Sequence, residues 1–320
     1  AGVPVEIPGY TINRLCASGL QAVVDAARAI ILNDADIIVA GGVENMSAAP
    51  YVLRGARWGY RLRHGEIIDS LWEGLTDPIR NIIMGATAEN LAEKYKITRE
   101  EQDEYAARSQ MRATRAIVEG RFKEEIVPVM VPQKRGEPIK FEIDEFPKSG
   151  ISKEKLALYP AVFRKGGTVT PGNSCGLNDG AAALVVMGED IAKKRKIKPI
   201  AKILSYAVAA VDPAIMGIGP VYAIPKALKK ANLKLEDMDL IELNEAFAAQ
   251  VLAVDKELHF DHDKLNINGG AIALGHPVGC SGARVLVTLL YAMKNKDAKY
   301  GLATLCVGGG QGIAMVVEKM

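Results

Sequence analysis

Two stretches at opposite ends of the 320-residue chain follow one plan, and this repetition restricts the fold more than any other feature. The first leads from Ile12 through a turn at Cys16 into a helix expected over Ser18 to Leu32, with Leu20, Val23, Val24, Ala27, Ile30 and Ile31 at helical spacing. A short buried strand, Asp36 to Ala40, follows and is expected to end at Gly41-Gly42. The second leads from a strand over Leu265 to Asn268 into a helix over Ser281 to Met293, then into a strand from Gly301 to Cys306 that ends in Gly308-Gly309-Gly310. Both helices open with Ser-Gly and both closing strands run into glycines. Two copies of a β-α-β unit are the economical reading, which makes this an α/β chain with two similar halves.

The stretch 46–177 has a different character. It carries a charged helical pattern from Met84 to Glu119, including the polar run Thr98 to Glu104, and proline-punctuated extended pieces such as Ile126 to Pro132. It reads as an insertion lying over the core with one side to solvent. The core resumes with the apolar run Gly180 to Met187, and Lys193-Lys194-Arg195-Lys196 reads as a solvated helix end. Strands over Ile200 to Val211 and Asp239 to Leu243 flank a helix over Val221 to Ala231. The expected division is 1–45 for the first half, 46–177 for the inserted loop domain, 178–198 for the first half resumed, and 199–320 for the second half.

Charge excludes little but excludes it clearly. With 40 basic and 38 acidic residues mixed along the chain, the net charge of +2 offers no nucleic-acid surface. No apolar run is long enough to span a bilayer, so no membrane partner is expected. The four cysteines, Cys16, Cys175, Cys280 and Cys306, form no C-x-x-C pair and no zinc spacing. Free thiols in a chain of this size point to a reducing compartment, with the cytoplasm as the default. No metal site is expected.

Three reactive side chains lie among glycines: Cys16 in Asn13 to Gly19, His276 in Gly269 to Pro277, and Cys306 before its glycine triplet. Together they supply a nucleophile, a base and a second proton carrier, while the glycines let backbone N–H groups approach a developing oxyanion. An isolated cysteine is usually a small buried hydrophobe. Cys16, however, precedes a helix whose free N–H groups are expected to lower its pKa and favour thiolate. His64 sits in a charged loop segment, and His259 and His262 read as parts of a solvated loop. Asn244, directly after a strand, is either a helix N-cap or an amide that holds a water or oxyanion near the histidine.

The Cys16 segment, Gly41 to Ser47, Met84 to Asn90, Gly176 to Gly180, Asn244 to Ala248, Gly275-His276-Pro277 and Cys306 to Gly310 resemble the thiolase family in the same order, over essentially the whole chain. The resemblance implies a thiolase-like five-layered αβαβα fold, with two similar halves and a loop domain over the coenzyme A tail. It implies acyl transfer between coenzyme A thioesters: Cys16 takes the acyl group, His276 accepts its proton, and Cys306 moves the α-proton of the second acyl-CoA. Asn244 would hold a water that forms one oxyanion site with His276, and the N–H groups of Cys16 and Gly308 would form the other. Met84 and Phe247 match positions lining the acyl and pantetheine channel. Cys175 stands near the pantetheine where serine is common, and Ile83 stands where many short-chain members have histidine, which leaves longer 3-ketoacyl chains open. Acyl-CoA and coenzyme A are the implied partners, with no further cofactor, and a homo-oligomer is implied. Family members usually carry a further segment ahead of the point where this chain begins, so a shortened N-terminus is expected. A decarboxylating ketosynthase of the same superfamily and a non-catalytic acyl-CoA-binding protein are the alternatives.

Overall fold

The computed structural model describes residues 2–320. Helix α1 (Ser18–Ile31) leads to strand β1 (Ile37–Asn45). The insertion contributes small hairpins, short helical segments and two long helices, α2 (Met84–Tyr95) and α3 (Arg99–Val118), before β2 (Asp179–Met187). The second half comprises β3 (Ala201–Ala210), α4 (Gly219–Ala231), β4 (Leu240–Leu243), α5 (Ala248–Leu258), α6 (Ala271–Leu274), α7 (Val278–Lys296), β5 (Tyr300–Val307) and β6 (Gln311–Lys319).

Two sheets organise the core. β1 and β2 pair antiparallel, Ile37 opposite Met187 and Asn45 opposite Asp179. The second sheet runs β4-β5-β6-β3, with β4 and β5 parallel and the other pairs antiparallel. Alternation along β5 and β6 splits their side chains between two cores. Ala303, Leu305, Val307, Ile313, Met315 and Val317 pack with α1 and α7, whereas Leu302, Cys306, Ala314 and Val316 pack with α2, α4 and α5. Ile38, Ala40, Leu184 and Val186 of the two-stranded sheet close over the other side of the α1–α7 pair. The layers among the described residues therefore run sheet, helices, sheet, helices. The outer face of β1–β2 is open, with Val39, Val43 and Val185 exposed.

The central helix pair sets the position of everything else. A Cβ on Gly19 would lie 2.5 Å from the backbone nitrogen of Ala283, and one on Gly282 would overlap the backbone nitrogen of Leu20. Only glycine at both points lets the two helices touch backbone to backbone, which draws their N-terminal ends together.

Several local expectations change. Ahead of Cys16, the described residues 2–14 form no strand and pair with neither sheet. Gly41 and Gly42 lie inside β1 because a Cβ on Gly42 would overlap the carbonyl of Gly279 at the start of α7. Helix α7 begins at Val278, ahead of the Ser281 expected. The strand expected over Leu265 to Asn268 reduces to a single bridge between Leu265 and Ile241. Asn266 has φ 46, and its side chain takes over the ladder, accepting from Leu243 N at 2.9 Å and donating to Leu243 O at 2.8 Å.

The helical run from Met84 to Glu119 is two helices. Lys96 turns left-handed (φ 52), and Thr98 and Glu101 form a capping box that starts α3. The polar character of α3 also misleads. Gln102, Asp103, Ser109 and Gln110 are buried, so much of its polar surface faces other segments of the protein.

Candidate active site

The turn that carries Cys16 is strained and tightly held. Leu15 has φ 48, a conformation costly for a branched side chain that persists only where the surroundings impose it. Arg14 N donates to Ser18 Oγ at 2.9 Å, Ser18 Oγ donates to Leu15 O at 2.8 Å, and Leu15 N donates to Asn13 Oδ1 at 2.9 Å. The Arg14 guanidinium reaches across to Gln311 Oε1 at 2.7 Å, tying this turn to the β5–β6 hairpin.

Cys16 lies in a 3-10 turn (Leu15–Ala17), with the backbone N–H groups of Gly308 and of Cys16 itself serving its sulfur. Burial pushes the thiol up to about 11, and these two N–H groups only partly offset it, while Glu44 adds to the rise. The resting group is a neutral thiol. The expected thiolate is absent because loss of hydration outweighs the pull of the turn's N–H groups.

His276 is held by its neighbours in one tautomer. Gly275, at φ 93, brings the backbone against Asn178, whose Oδ1 accepts from His276 N at 3.3 Å. Ser281 Oγ donates to Pro277 O at 2.9 Å, so its lone pair is left to accept from His276 Nδ1–H at 2.6 Å. Nε2 therefore keeps its lone pair and faces Asn244 Nδ2 at 3.4 Å. Burial, with nearby Arg284 assisting, lowers this histidine to about 4. It is a neutral imidazole across the physiological range, able to accept a proton at Nε2.

Asn244 follows β4, and its backbone N–H donates to Thr304 O at 3.0 Å, fixing it to the strand that carries Cys306. Its Oδ1 is buried and accepts from no described group. Cys306 is fully buried; desolvation raises its thiol well above the usual range, and the nearby Cys16 and Cys175 add to the rise. The thiol of Cys175 is likewise pushed up to about 12, by burial first and then by Cys16. Its backbone N–H donates to Ala246 O at 3.0 Å, and Ser174 bridges to Phe247. Met84 belongs to the same wall, since a Cβ on Gly308 would lie 3.4 Å from its sulfur.

The structure therefore brings Cys16, Asn244, His276, Cys306, Gly308, Met84, Cys175 and Phe247 to one place. Reading the sequence missed three contributors. Ser281 and Asn178 stand in quoted motifs without a role, and Phe163 meets Phe247 edge-on, 6.1 Å between ring centres. His262 lies elsewhere, between Arg108 (2.8 Å) and Asp255 (2.7 Å), and borders a cavity of about 870 Å³ that includes none of the site residues. No helix among the described residues is long and apolar enough to cross a membrane.

Comparison with known proteins places the chain in a family. A family model described as thiolase, N-terminal domain, matches residues 1–190, and one described as thiolase, C-terminal domain, matches residues 197–319. The acetyl-CoA acetyltransferase of Pseudomonas aeruginosa is 57% identical over 320 residues, covering 100% of this chain and 81% of that protein. The crystal structure of the Bacillus anthracis acetyl-CoA acetyltransferase superposes with a TM-score of 0.97 at 52% identity, over 100% of this chain and 81% of that one. Human mitochondrial 3-ketoacyl-CoA thiolase in complex with CoA superposes with a TM-score of 0.96 at 47% identity, over 100% of this chain and 80% of that one. Matches to both domains in tandem, on the same fold and across the whole length, lead to one conclusion: the chain belongs to the thiolase family.

Proposed function

We propose that this chain is an acetyl-CoA acyltransferase that joins two acetyl-CoA molecules by Claisen condensation, or cleaves a 3-ketoacyl-CoA in reverse, through an acyl-Cys16 intermediate. One observation carries the reading: two buried thiols, Cys16 and Cys306, lie close enough for the first to affect the ionisation of the second, beside the N–H of Gly308, while His276 keeps the lone pair on Nε2 and faces Asn244.

In the first half-reaction His276 Nε2 takes the Cys16 proton as sulfur attacks the thioester carbonyl. The N–H groups of Cys16 and Gly308 stabilise the oxyanion. The C–S bond to coenzyme A breaks, and its thiolate leaves with the proton held by His276. In the second half-reaction His276 Nε2, free again once coenzyme A has left, takes the Cys306 proton, and the Cys306 thiolate removes the α-proton of the incoming acetyl-CoA. The enolate oxygen is stabilised by His276 and a water on Asn244, a role supported by the buried, unpartnered Asn244 Oδ1. The enolate carbon attacks the acyl carbon, the bond to Cys16 sulfur breaks, Cys16 sulfur takes the proton held by His276, and Cys306 keeps the α-proton in place of its own. Because both thiols start protonated, each proton removed has a defined donor and a defined return.

Met84, Cys175, Phe247 and the edge-on Phe163 would line the acyl and pantetheine channel. No cofactor beyond the coenzyme A thioester is part of this proposal. The free cysteines support a reducing, cytoplasmic setting, and a place in fatty acid metabolism follows from the substrate class. Open Val39, Val43 and Val185 support a homo-oligomer, a dimer or tetramer.

Incubation with acetyl-CoA tests the reading. One acetyl mass is expected on the peptide containing Cys16; label found only on Cys175, Cys280 or Cys306 would overturn it. Turnover of malonyl-CoA with loss of carbon dioxide, and none of acetyl-CoA, would favour the decarboxylating alternative.

A further inference from the structure

Glu245 is a buried carboxylate, 1% exposed, that the chemistry above does not use. Its Oε1 accepts from Tyr105 Oη at 2.8 Å and from Asn266 Nδ2 at 3.0 Å. Its Oε2 accepts from Ser109 Oγ at 2.6 Å and from Ile272 N at 3.2 Å. Two donors on each oxygen suit an ionised carboxylate, which can only accept.

The four donors belong to different parts of the molecule. Tyr105 and Ser109 lie on α3 of the insertion, and Asn266 clamps the last residue of β4, Leu243. Ile272 lies in α6, which passes through Gly275 directly into His276. Glu245 itself is joined by one peptide bond to Asn244. Gly270 lies against the carboxylate so closely that a Cβ there would overlap it, and its N–H donates to Ser109 Oγ at 3.1 Å. Gln110, next on α3, donates to Ile272 O at 3.2 Å.

A single carboxylate thus joins the Asn244 segment to the segment that delivers His276. Between the two side chains themselves the contact is long, 3.4 Å, too weak to set their spacing alone. We propose that Glu245 is a positioning residue for the Asn244–His276 oxyanion site, and that α3 serves through it as a buttress of the catalytic centre. The inference rests on the proposed condensation activity.

Glu245→Gln keeps the shape but places an amide NH₂ where two donors already point. It is tested by the thermal melt, the rate of Cys16 acetylation, and kcat and KM for condensation. Condensation kcat is expected to fall on the order of 10–100-fold, because displacing groups that meet a reacting centre by a fraction of an ångström has effects of that size. Cys16 acetylation should fall less, because it uses His276 but not Asn244, and KM should stay within about twofold, because the four donors to Glu245 include neither the nucleophile turn nor a channel residue. Unchanged condensation, or equal loss of both half-reactions alongside a lowered melting temperature, would overturn the inference. If Glu245→Gln does not fold, Tyr105→Phe leaves the carboxylate three donors: a smaller loss confined to condensation supports the role, and no such loss refutes it. Failure of the wild-type protein to acetylate Cys16 would instead strike the proposed function.

Discussion

The two sheets are covered to different extents. β4-β5-β6-β3 is packed with apolar side chains on both faces, while β1–β2 is packed on one, leaving Val39 at 67% and Val185 at 59% exposure on the other. Asn244 and Cys306, which need fixed mutual geometry, come from the doubly covered sheet, and His276 is seated beside them at the head of α7. Cys16 arrives from the half covered on one face and docks through the glycine contact of α1 with α7. Burial on both sides over-determines the positions of the proposed proton-transfer and oxyanion groups. The nucleophile instead relies on one helix pair and a hydrogen-bonded turn.

The largest effect should come from the more lightly supported half. Cys16→Ser is expected to lower turnover on the order of 10³-fold or more with little change in melting temperature, since an alcohol is far harder to ionise than a thiol. Steady-state rates and a melt check it, and a variant keeping a tenth of the activity would remove Cys16 from the chemistry. Within the doubly covered sheet, Leu305→Ala should cost about 2–5 kcal/mol in denaturant unfolding, through lost transfer free energy and the cavity left.

Acidification should find the same region. The folded protein holds His276 at about 4, against an ordinary 6.5, so below 6.5 the unfolded chain binds a proton that the native state refuses. The contribution of this residue to stability is therefore lost as pH falls from about 6.5 to about 4, by about 3 kcal/mol in all. Buried Glu242, raised to about 8 by desolvation, acts with the opposite sign as pH rises, so the comparison to make is wild type minus His276→Asn. Absence of that difference across the window would mean that His276 is hydrated in solution.

Ser281→Ala removes the acceptor that fixes the Nδ1–H tautomer. A fall in kcat of about tenfold at nearly unchanged KM is expected, and an equal change in KM would assign Ser281 to substrate binding. The smallest effect should be Val39→Ala in a dilute, monomeric sample, within about 0.5 kcal/mol for a site that only an oligomer would cover. A cost matching that of Leu305→Ala would show the outer face of β1–β2 to be covered in solution, and the contrast between the sheets would fail.

The sequence by itself determined the α/β class and the two similar halves, and it marked Cys16, His276, Cys306 and Asn244 as the candidates for the chemistry. These are legible because hydrophobic period and glycine-flanked reactive residues are local properties of the chain. Other features were decided only when distant surfaces met. The polar face of α3 looked solvated because nothing local to Gln102, Ser109 or Gln110 reveals that Thr168, Glu245 and Ile272 supply their partners. Gly41-Gly42 looked like a strand end, yet Gly42 is set by the approach of Gly279, over two hundred positions away. The protonation states follow the same rule. A helix-start position favours a thiolate, but the ionisation of Cys16 and the tautomer of His276 depend on how much water packing removes and on the lone pair that Ser281 has left to accept. Both are properties of the assembled interior.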